Sequence, residues 1–284
     1  MTILSRESAV AEGSAPAAPV EKARRPSLIR RYPVLFVSPL IAILAIAAWF
    51  ATVEWFDVPR LVLPPPLDVL DELWLMLTGP DLYQNLLVTV TEFGAGFAIG
   101  SVSAIVVAAV LVRIPVLERG FSPYIVAFQN FPKIALAPML ITWFGFGPAP
   151  KIALSTVLAF FPVFVNVIVG LKSSTKEQRD LMRVLEASEW QTFWMLRVKV
   201  ALPYIFAGLR IALPIAIVVI VLTEMIGDSR GLGYYIAISG TRFEFANVYA
   251  AILVIGACGF VLDRSLLRLR RAIVHWERDA EATR

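Results

Sequence analysis

The sequence predicts an all-α protein that crosses a membrane six times, and composition and patterning both support this fold class. Hydrophobic residues make up 58% of the 284 residues, charged residues only 17%, and the mean hydropathy is +0.73. Soluble domains average about 45–50% apolar and about 25% charged residues. The apolar residues also form runs of about 20, the length that a helix needs to cross a bilayer core of roughly 30 Å. A soluble globular protein does not fit this composition.

Six apolar segments are predicted as spans: residues 34–53, 86–111, 121–145, 151–171, 204–225 and 246–263. They divide the chain into a disordered tail at 1–33, a transmembrane domain at 34–265 with a cytoplasmic loop at 172–203, and a C-terminal tail at 266–284. A cleaved secretory signal is the alternative for the N-terminal region. It fits poorly, because the first apolar run has the length of a span and no small-residue cleavage site follows it.

The distribution of charge predicts the orientation. An even number of spans puts both termini on one side, and most of the 26 basic residues fall on that side, in the two tails and in the second-to-third and fourth-to-fifth connections. The first-to-second connection on the other side is acidic: it carries Glu54, Asp57, Asp68, Asp71, Glu72 and Asp81. By the positive-inside rule, both termini are predicted to be cytoplasmic.

The acidic connection contains a second pattern. After Pro64, Pro65 and Pro66, apolar residues recur at helical spacing, namely Leu67, Leu70, Trp74 and Leu77. This predicts a short helix on the outer surface. Its apolar side lies either on lipid or on protein, and the pattern does not distinguish the two.

The fourth-to-fifth connection is too long and too apolar for a simple loop. It runs over 172–203, whereas helix connections usually take about 2–8 residues. A capping signal at Ser174 and Thr175 precedes seven apolar residues: Leu181, Val184, Leu185, Trp190, Phe193, Trp194 and Leu196. We therefore predict a cytoplasmic helical hairpin. Its aromatic face is covered either by the membrane helices or by a soluble partner.

Several chemistries are poorly supported. Cys258 is the only cysteine and His275 the only histidine, so disulfides, zinc-ligand sets and Ser-His-Asp triads are not expected. The pattern G-x-x-x-x-G-K-[ST] does not occur, so the chain has no phosphate-binding loop of that kind. We expect no catalytic residue, no metal, no cofactor and no nucleic-acid partner, with the lipid bilayer as the surrounding medium.

Four charged residues lie within or near the predicted spans: Glu92, Lys133, Arg210 and Glu224. Lys133 follows Pro132 inside the third span, and polar residues at a broken helix usually face a cavity. The structural alternative is that Lys133 pairs with Glu92 or with a freed carbonyl. For the others, the position predicts an interfacial Glu92, a snorkelling Arg210 and a Glu224 at a wet boundary. Small residues in the second span are predicted to serve helix packing: Gly94, Gly96, Gly100, Ser101 and Ser103.

The hairpin segment 180–188 (DLMRVLEAS), followed by Phe193 and Leu202-Pro203, resembles the EAA loop of ABC importer permeases, which docks on the ATPase subunit. The resemblance implies seven coupling residues: Asp180, Leu185, Glu186, Ala187, Ser188, Phe193 and Pro203. Asp180 stands where the motif has Glu, Glu186 where it has Gly, and Lys199 where many members have Pro. Glu186 would be strained if the family glycine adopts a positive φ.

A second resemblance covers roughly residues 60–265. Segments 135–147 (ALAPMLITWFGFG), 151–154 (KIAL), 160–162 (FFP), 203–210 (PYIFAGLR) and 231–234 (GLGY), together with Gly170-Leu171, resemble the permease group for sulfonates, taurine, nitrate and pyrimidine precursors. This implies a multi-pass subunit of the bacterial inner membrane with the type I ABC importer (MetI-like) fold. Its implied partners are an ATP-binding subunit, a second permease copy and an extracytoplasmic solute-binding protein. The implied solute is small and either anionic or heteroaromatic.

The same resemblance implies that Glu224 and the turn at Gly231 and Gly233 lie beside the translocation path. From their positions in the spans, Lys133 and Glu92 are further candidates for lining it. We expect residues 224–233 to form a non-helical outer gate that packs on the symmetry mate. Two other classes remain open from residues alone. A secondary transporter would need an inverted repeat, and none is convincing here. A membrane-embedded hydrolase or transferase would need a nucleophile and base within the bilayer.

The predicted orientation can be tested by cysteine labelling. In right-side-out spheroplasts of a Cys258→Ser background, an impermeant maleimide should label Asp68→Cys, whereas Arg183→Cys should react only after the membrane is permeabilised. Labelling of Arg183→Cys in intact spheroplasts would contradict this topology.

Overall fold

A computed structural model describes residues 33–56, 58–227 and 229–276, and this part of the chain is helical, with no β-strand in it. The helices are α1 Pro33–Trp55, α2 Pro66–Thr78, α3 Pro80–Arg113, α4 Pro115–Asn130, α5 Ala137–Phe144, α6 Pro148–Lys172, α7 Lys176–Val184, α8 Glu189–Thr192, α9 Val198–Gly227, α10 Leu232–Thr241 and α11 Phe245–Ile273. A 3₁₀ turn, Lys133–Leu136, precedes α5, and a π-helical turn, Phe193–Arg197, joins α8 to α9. The predicted all-α class is confirmed.

Four segments of the described chain are long and apolar enough to cross a membrane: Pro80–Arg113, Pro148–Lys172, Glu189–Ile226 and Phe245–Ile273. They contain the predicted second, fourth, fifth and sixth spans. Two further apolar helices are shorter, at Pro39–Trp55 and Lys133–Phe144, and correspond to the predicted first and third spans. Four of the six predicted spans are therefore confirmed in the described chain, and the count of six stays a prediction.

The third predicted span is not one helix. α4 ends at Asn130, and Pro132 has no amide hydrogen with which to continue it, so the backbone passes through Phe131 and the 3₁₀ turn before α5 begins. The break expected at Pro132 is confirmed. At the other end of the chain α11 continues to Ile273, past the predicted limit at residue 263 and into the predicted C-terminal tail. The tail predicted at 1–33 and the last residues, 277–284, lie almost wholly outside the described residues.

The chain divides into two units, Met1–Trp49 and Phe50–Arg284. Most of α1 belongs to the first unit, and it is a continuous apolar helix with Pro39 inside it. All the other helices belong to the second unit.

The centre of the second unit is a bundle of three helices, in which α6 packs against α3 on one side and α9 on the other. Its buried core includes Phe93, Ala104, Val163, Phe164, Val167, Ala212, Ala216 and Ile220. Glycines allow this close approach. A Cβ on Gly100 of α3 would lie 2.5 Å from the Thr156 carbonyl oxygen of α6, and one on Gly208 of α9 would lie 2.9 Å from the Asn166 Cβ. The backbones themselves form the contact, as in many membrane bundles.

The small residues of α3 have different roles. Gly96 and Gly100 face α6, Ser101 is buried, and Ser103 bonds to the Gly100 carbonyl of its own helix. A Cβ on Gly94 would meet no atom within 4 Å. The predicted packing role is therefore confirmed for Gly96 and Gly100, and for Gly94 it stays a prediction, since Gly94 packs on no helix of the described chain.

A second core joins α2, α10 and α11. It is built from Met76, Leu232, Ile236, Ala250, Ala251 and Val254. The predicted surface helix is confirmed as α2, and Val69 and Met76 are its buried apolar side chains, while Leu67, Leu70, Trp74 and Leu77 are exposed. The helix thus contacts protein, but through the side opposite to the one that the pattern indicated.

The close packing of α3 on α6 predicts a contrast between two glycines. Gly100→Ala should destabilise the protein by about 1–3 kcal/mol, because the added methyl group overpacks a backbone contact. Gly94→Ala has space for its methyl group and should be neutral or slightly stabilising, because Ala favours helix over Gly by up to about 1 kcal/mol. Thermal unfolding in detergent would measure both, and equal midpoints for the two variants would contradict the close contact.

Candidate functional site

The hairpin between α6 and α9 begins and turns at two capping boxes. The Thr175 side chain accepts from the Gln178 amide while the Gln178 side chain accepts from the Thr175 amide, and Ser188 and Gln191 repeat this arrangement at the start of α8. Each pair satisfies amides that a helix start leaves without partners. The capping signal expected near Thr175 is confirmed, with Gln178 as its partner.

The turn between α7 and α8 contains a strained residue. Glu186 has a φ of +53°, a left-handed conformation that costs a side-chain-bearing residue roughly 1–2 kcal/mol. Three backbone bonds hold the turn: the amides of Leu185, Glu186 and Ala187 donate to the carbonyls of Leu181, Arg183 and Met182. The strain expected at Glu186 is confirmed, since this position has the positive φ that glycine adopts readily.

The hairpin is fastened to the end of α3 by Arg113. Its guanidinium carbon lies 4.2 Å from the centre of the Trp190 ring and 3.9 Å from that of Phe193. Stacking on two aromatic rings favours a guanidinium electrostatically. Phe193 is only 5% exposed, so it belongs to the support of the hairpin.

The remaining hairpin residues lie mainly on the surface. Asp180 pairs with Arg183 at 3.3 Å, Leu185 and Ser188 are exposed, and Ala187 is half-buried. Pro203, the last of the seven predicted coupling residues, lies in the first turns of α9. Five large apolar side chains of the hairpin are also exposed: Leu181, Val184, Leu185, Trp190 and Trp194. We call these five residues the hairpin patch.

At the other end of α9, Glu224 is completely buried. Its carboxylate accepts hydrogen bonds from the Thr89 hydroxyl of α3, at 2.8 and 3.0 Å, and from the Gly233 amide of α10, at 2.8 Å. The Leu232 amide donates to the Thr89 oxygen, and the Gly231 amide to the Asn85 side chain, both at 2.9 Å. The first amides of α10 are therefore capped by side chains of α3 and α9, and the predicted wet boundary position for Glu224 is wrong.

Glycines at 231 and 233 make this cap possible. Gly231 has a φ of +107°, and a Cβ there would overlap the Glu224 carboxylate. A Cβ on Gly233 would overlap the Val221 carbonyl oxygen. The chain does turn back here, but the expectation of a non-helical element is wrong: α9 continues to Gly227, and Gly233 already lies in α10.

Glu92 belongs to a buried ion pair. Its Oε1 lies 2.6 Å from the Nζ of Lys151 of α6, and both residues are buried. A small cavity of about 20 Å³ lies beside Lys151, with Phe146, Gly147 and Thr223 in its wall. The interfacial position expected for Glu92 is wrong, as is its pairing with Lys133. Lys151 was not singled out, because a lysine at the start of a span resembles an interfacial anchor.

Lys133 lies beside the break in the third apolar segment. Its ammonium is 3.5 Å from the Phe131 carbonyl oxygen, a group that the break frees from helical bonding, and 4.8 Å from the centre of the Phe161 ring. The predicted contact with a freed carbonyl is thus present. Arg210 makes a bidentate pair with Asp263 of α11, at 2.7 and 3.2 Å, so the prediction of a simple snorkelling anchor omitted its partner.

A pattern in the sequence indicates the side chains that cap the first amides of α10. Asn85, Thr89 and Glu92 lie at spacings of four and three, on one face of α3, and Gly96 and Gly100 continue the same face towards α6. Polar residues in such a stripe within an apolar helix indicate buried polar partners. Within residues 33–56, 58–227 and 229–276, no group of three or more His, Cys, Asp or Glu side chains could hold a metal ion.

Comparisons with known proteins agree on one kind of molecule. Residues 96–275 match the family described as "Binding-protein-dependent transport system inner membrane component". The formylaminopyrimidine transport permease protein ThiX of Halalkalibacterium halodurans is 30% identical over 246 residues, which is 87% of this chain and 96% of that protein. The taurine transport system permease protein TauC of Escherichia coli is 29% identical, covering 89% and 93% of the two chains. The riboflavin transport system permease protein RibX of Chloroflexus aurantiacus is 28% identical, covering 84% and 89%.

Solved structures agree on the fold. A chain of the MetNI methionine ABC transporter in inward-facing conformations superposes with a TM-score of 0.54 at 20% identity, covering 70% of this chain and 96% of the other. A chain of an amino acid ABC transporter with histidines gives 0.53 at 14% identity, covering 74% and 97%. The MetI-like fold expected from the sequence is confirmed.

The cap of α10 predicts a contrast between two threonines of α3. Thr89→Val removes the hydroxyl that donates to Glu224 and accepts from Leu232, so it should destabilise the protein by roughly 1–3 kcal/mol for each buried group left unsatisfied. Thr91→Val should have little effect, because the Thr91 hydroxyl bonds only to the Leu87 and Val88 carbonyls of its own helix. Thermal unfolding midpoints measure the difference. A Thr89→Val protein as stable as the Thr91→Val control would contradict the cap.

Proposed function

Because this chain belongs to the family of binding-protein-dependent transport system inner membrane components, we propose that two identical copies of it enclose one translocation path, with a separate ATPase docked on each hairpin. The chain is the permease subunit of an ABC importer for a small solute, and it is not an enzyme, since the relatives that match most of its length are transport permeases. Membership of this family brings an ATPase and a binding protein as partners.

The hairpin patch is the observation that supports the docking site best. Leu181, Val184, Leu185, Trp190 and Trp194 are all exposed in the single chain. Five large apolar side chains exposed together outside the lipid normally mark a site for another protein. The two capping boxes and the stacked Arg113 hold the hairpin in one conformation before any partner binds. This reduces the entropy that docking costs.

The coupling residues then have separate roles. Ala187 is small and half-buried at the turn, so a partner can approach closely there, and Ser188 caps α8 beside it. Phe193 supports the hairpin from beneath through Arg113. Asp180 is half-buried and Leu185 exposed, and both belong to the contact surface, while Glu186 sets the angle between α7 and α8.

The orientation and the source of energy follow the same proposal. Both termini and the hairpin face the cytoplasm, because the basic connections gather on that side of the inner membrane. ATP is bound by the partner subunit, and this chain carries no cofactor of its own. The hairpin is the point at which the energy of ATP hydrolysis reaches the membrane helices.

The residues predicted to line the translocation path fall into two groups, those that support its wall and one that meets the solute. Glu92 is held by Lys151 and Glu224 by Thr89 and Gly233, so both carboxylates support the wall of the path from behind. Gly231 and Gly233 shape the turn at its outer end. Lys133 lines a groove on the surface of the second unit and is the candidate that meets the solute.

The transported solute is small and either anionic or heteroaromatic. The relatives are described as permeases for formylaminopyrimidine, riboflavin and taurine, and this range points to a solute-binding protein as the main source of selectivity. Binding assays on the solute-binding protein encoded nearest to this chain, with a panel of sulfonates, pyrimidines and flavins, would identify the solute.

The docking proposal is tested by a charge at Ala187. Ala187→Asp should abolish most solute uptake and uncouple ATP hydrolysis from it, because the new carboxylate is desolvated in the contact without a partner. Ala187→Ser keeps a small neutral side chain and is the matched control. Uptake into vesicles and ATPase activity of the purified complex are the measurements. Normal uptake by Ala187→Asp would overturn the docking site, and failure of any ATPase to purify with the wild-type chain would overturn the proposed function.

A further inference from the structure

The helix α2 has three faces of different chemistry, because successive residues are rotated by about 100° around a helix axis. The buried face packs on the second core and consists of Val69, Leu73 and Met76. A second face is apolar but more than half exposed, and it consists of Leu67, Leu70, Trp74 and Leu77. We call it the exposed apolar face. The third face carries the acidic residues Asp68, Asp71 and Glu72, together with the exposed Leu75.

The buried face shows how deep α2 lies in the membrane. Met76 belongs to the same core as Val254 of α11, and Val254 follows the first residue of that helix, Phe245, by nine residues. This places Val254 about 14 Å along α11. The 29-residue helix α11 is long and apolar enough to cross a membrane. It is about 43 Å long, so a hydrocarbon core of roughly 30 Å begins about 7 Å from its end. The core that α2 contacts therefore extends into the hydrocarbon.

At this depth the three faces of α2 match three surroundings. A helix that packs sideways on protein at the membrane boundary has one remaining side towards the acyl chains and one towards water. The exposed apolar face suits lipid, since it combines three leucines with Trp74, and tryptophan is enriched at membrane–water interfaces. The acidic face suits water, because a carboxylate in hydrocarbon is costly. Protein, lipid and water therefore each meet one face of the helix.

The charges around α2 indicate how the helix binds lipid. Arg60 is the only basic residue in the sequence between positions 58 and 79, and it lies 3.4 Å from the Asp68 carboxylate. Amphipathic helices that select anionic lipids do so with several lysine or arginine side chains. Because α2 has none within its own length, the apolar side chains alone account for its contact with the bilayer.

We propose that α2 is a membrane-interface anchor, whose exposed apolar face inserts among the lipid acyl chains just below the headgroups and has no preference for anionic lipid. The buried face of the same helix shares its core with Leu232 and Ile236 of α10. The anchor therefore holds the capped end of α10 at the level of the bilayer surface. This inference goes beyond the proposed function, because it depends neither on the solute nor on the ATPase.

Collision rates of nitroxide spin labels test where each face lies. In a Cys258→Ser background, single labelled cysteines replace Leu70 and Leu77 of the exposed apolar face, and Asp71 of the acidic face as the matched control. The purified complex is placed in phosphatidylcholine nanodiscs. Oxygen concentrates among acyl chains, whereas a neutral nickel chelate stays in water. The oxygen-to-nickel collision ratio should be at least about fivefold higher at Leu70→Cys and Leu77→Cys than at Asp71→Cys, because the apolar face of an interfacial helix lies about 5–10 Å into the boundary between headgroups and acyl chains.

Lipid composition tests whether the contact is apolar. When phosphatidylglycerol replaces half of the phosphatidylcholine, the collision ratio at Leu70→Cys should stay the same, because no basic side chain of α2 attracts the anionic headgroups. A ratio that rises several-fold with phosphatidylglycerol would show recognition of anionic headgroups and would overturn the proposed mode of binding.

The link between the anchor and α10 is tested by weakening the exposed apolar face. The double variant Leu70→Gln/Leu77→Gln should increase hydrogen exchange of the α10 amides several-fold in nanodiscs, because α2 no longer holds that helix at the interface. Asp71→Asn leaves the exposed apolar face intact and is the control. Equal exchange in the double variant and the control would overturn the anchoring of α10.

Three results of the collision experiment would contradict the contact with lipid. Equal ratios at Leu70→Cys and Asp71→Cys would place both faces in water. An immobilised label at Leu70→Cys that collides with neither reagent would assign the exposed apolar face to a second copy of the chain. A label that becomes immobilised only when the solute-binding protein is added would assign the face to that partner.

Discussion

The need to satisfy backbone amides inside a membrane determines how the α10 end of this protein is built. α10 begins beside α3 and α9, where little water competes for its first amides, and each unsatisfied group there would cost several kcal/mol. Glu224, Thr89 and Asn85 supply the missing acceptors. Because these three side chains come from α3 and α9, the position of α10 is fixed to both. The second core, in which α2 and α11 pack on α10, depends on that position in turn.

One helix connects this cap with the hairpin. α3 carries Asn85 and Thr89 near one end and Arg113 at the other, and Thr89 and Arg113 are separated by roughly 36 Å of continuous helix. Between them, Gly96 and Gly100 hold the helix against α6 by backbone contact. A long helix gripped at both ends and in its middle moves as a rigid body, so a tilt imposed at the hairpin also displaces the acceptors at α10. Such a connection makes α3 a physical route for coupling between the hairpin and the cap of α10.

The sequence predicted the features that depend on local pattern. The spans follow from apolar run length, because bilayer thickness fixes that length, and the break at Pro132 follows from its missing amide hydrogen. The strain at Glu186 could be expected because a glycine position implies a particular φ. The buried partners could not be predicted in this way. Thr89 and Glu224 are 135 residues apart, and Glu92 and Lys151 lie on different helices, so pattern within one span placed both carboxylates at water boundaries. The buried face of α2 could not be predicted for the same reason, because contacts with other helices determine which of its apolar residues are buried.

The π-helical turn at Phe193–Arg197 sets the angular relation between the hairpin and the helix that follows it. A π turn contains one residue more than an α turn, and one residue corresponds to a rotation of about 100°. Phe193 can therefore point towards Arg113 while the residues after Val198 keep the phase that seats Gly208 against α6. During evolution, gain or loss of a single residue at this turn would rotate the hairpin patch without disturbing the helix bundle. The turn thus lets the orientation of the hairpin vary independently of packing between α9 and α6.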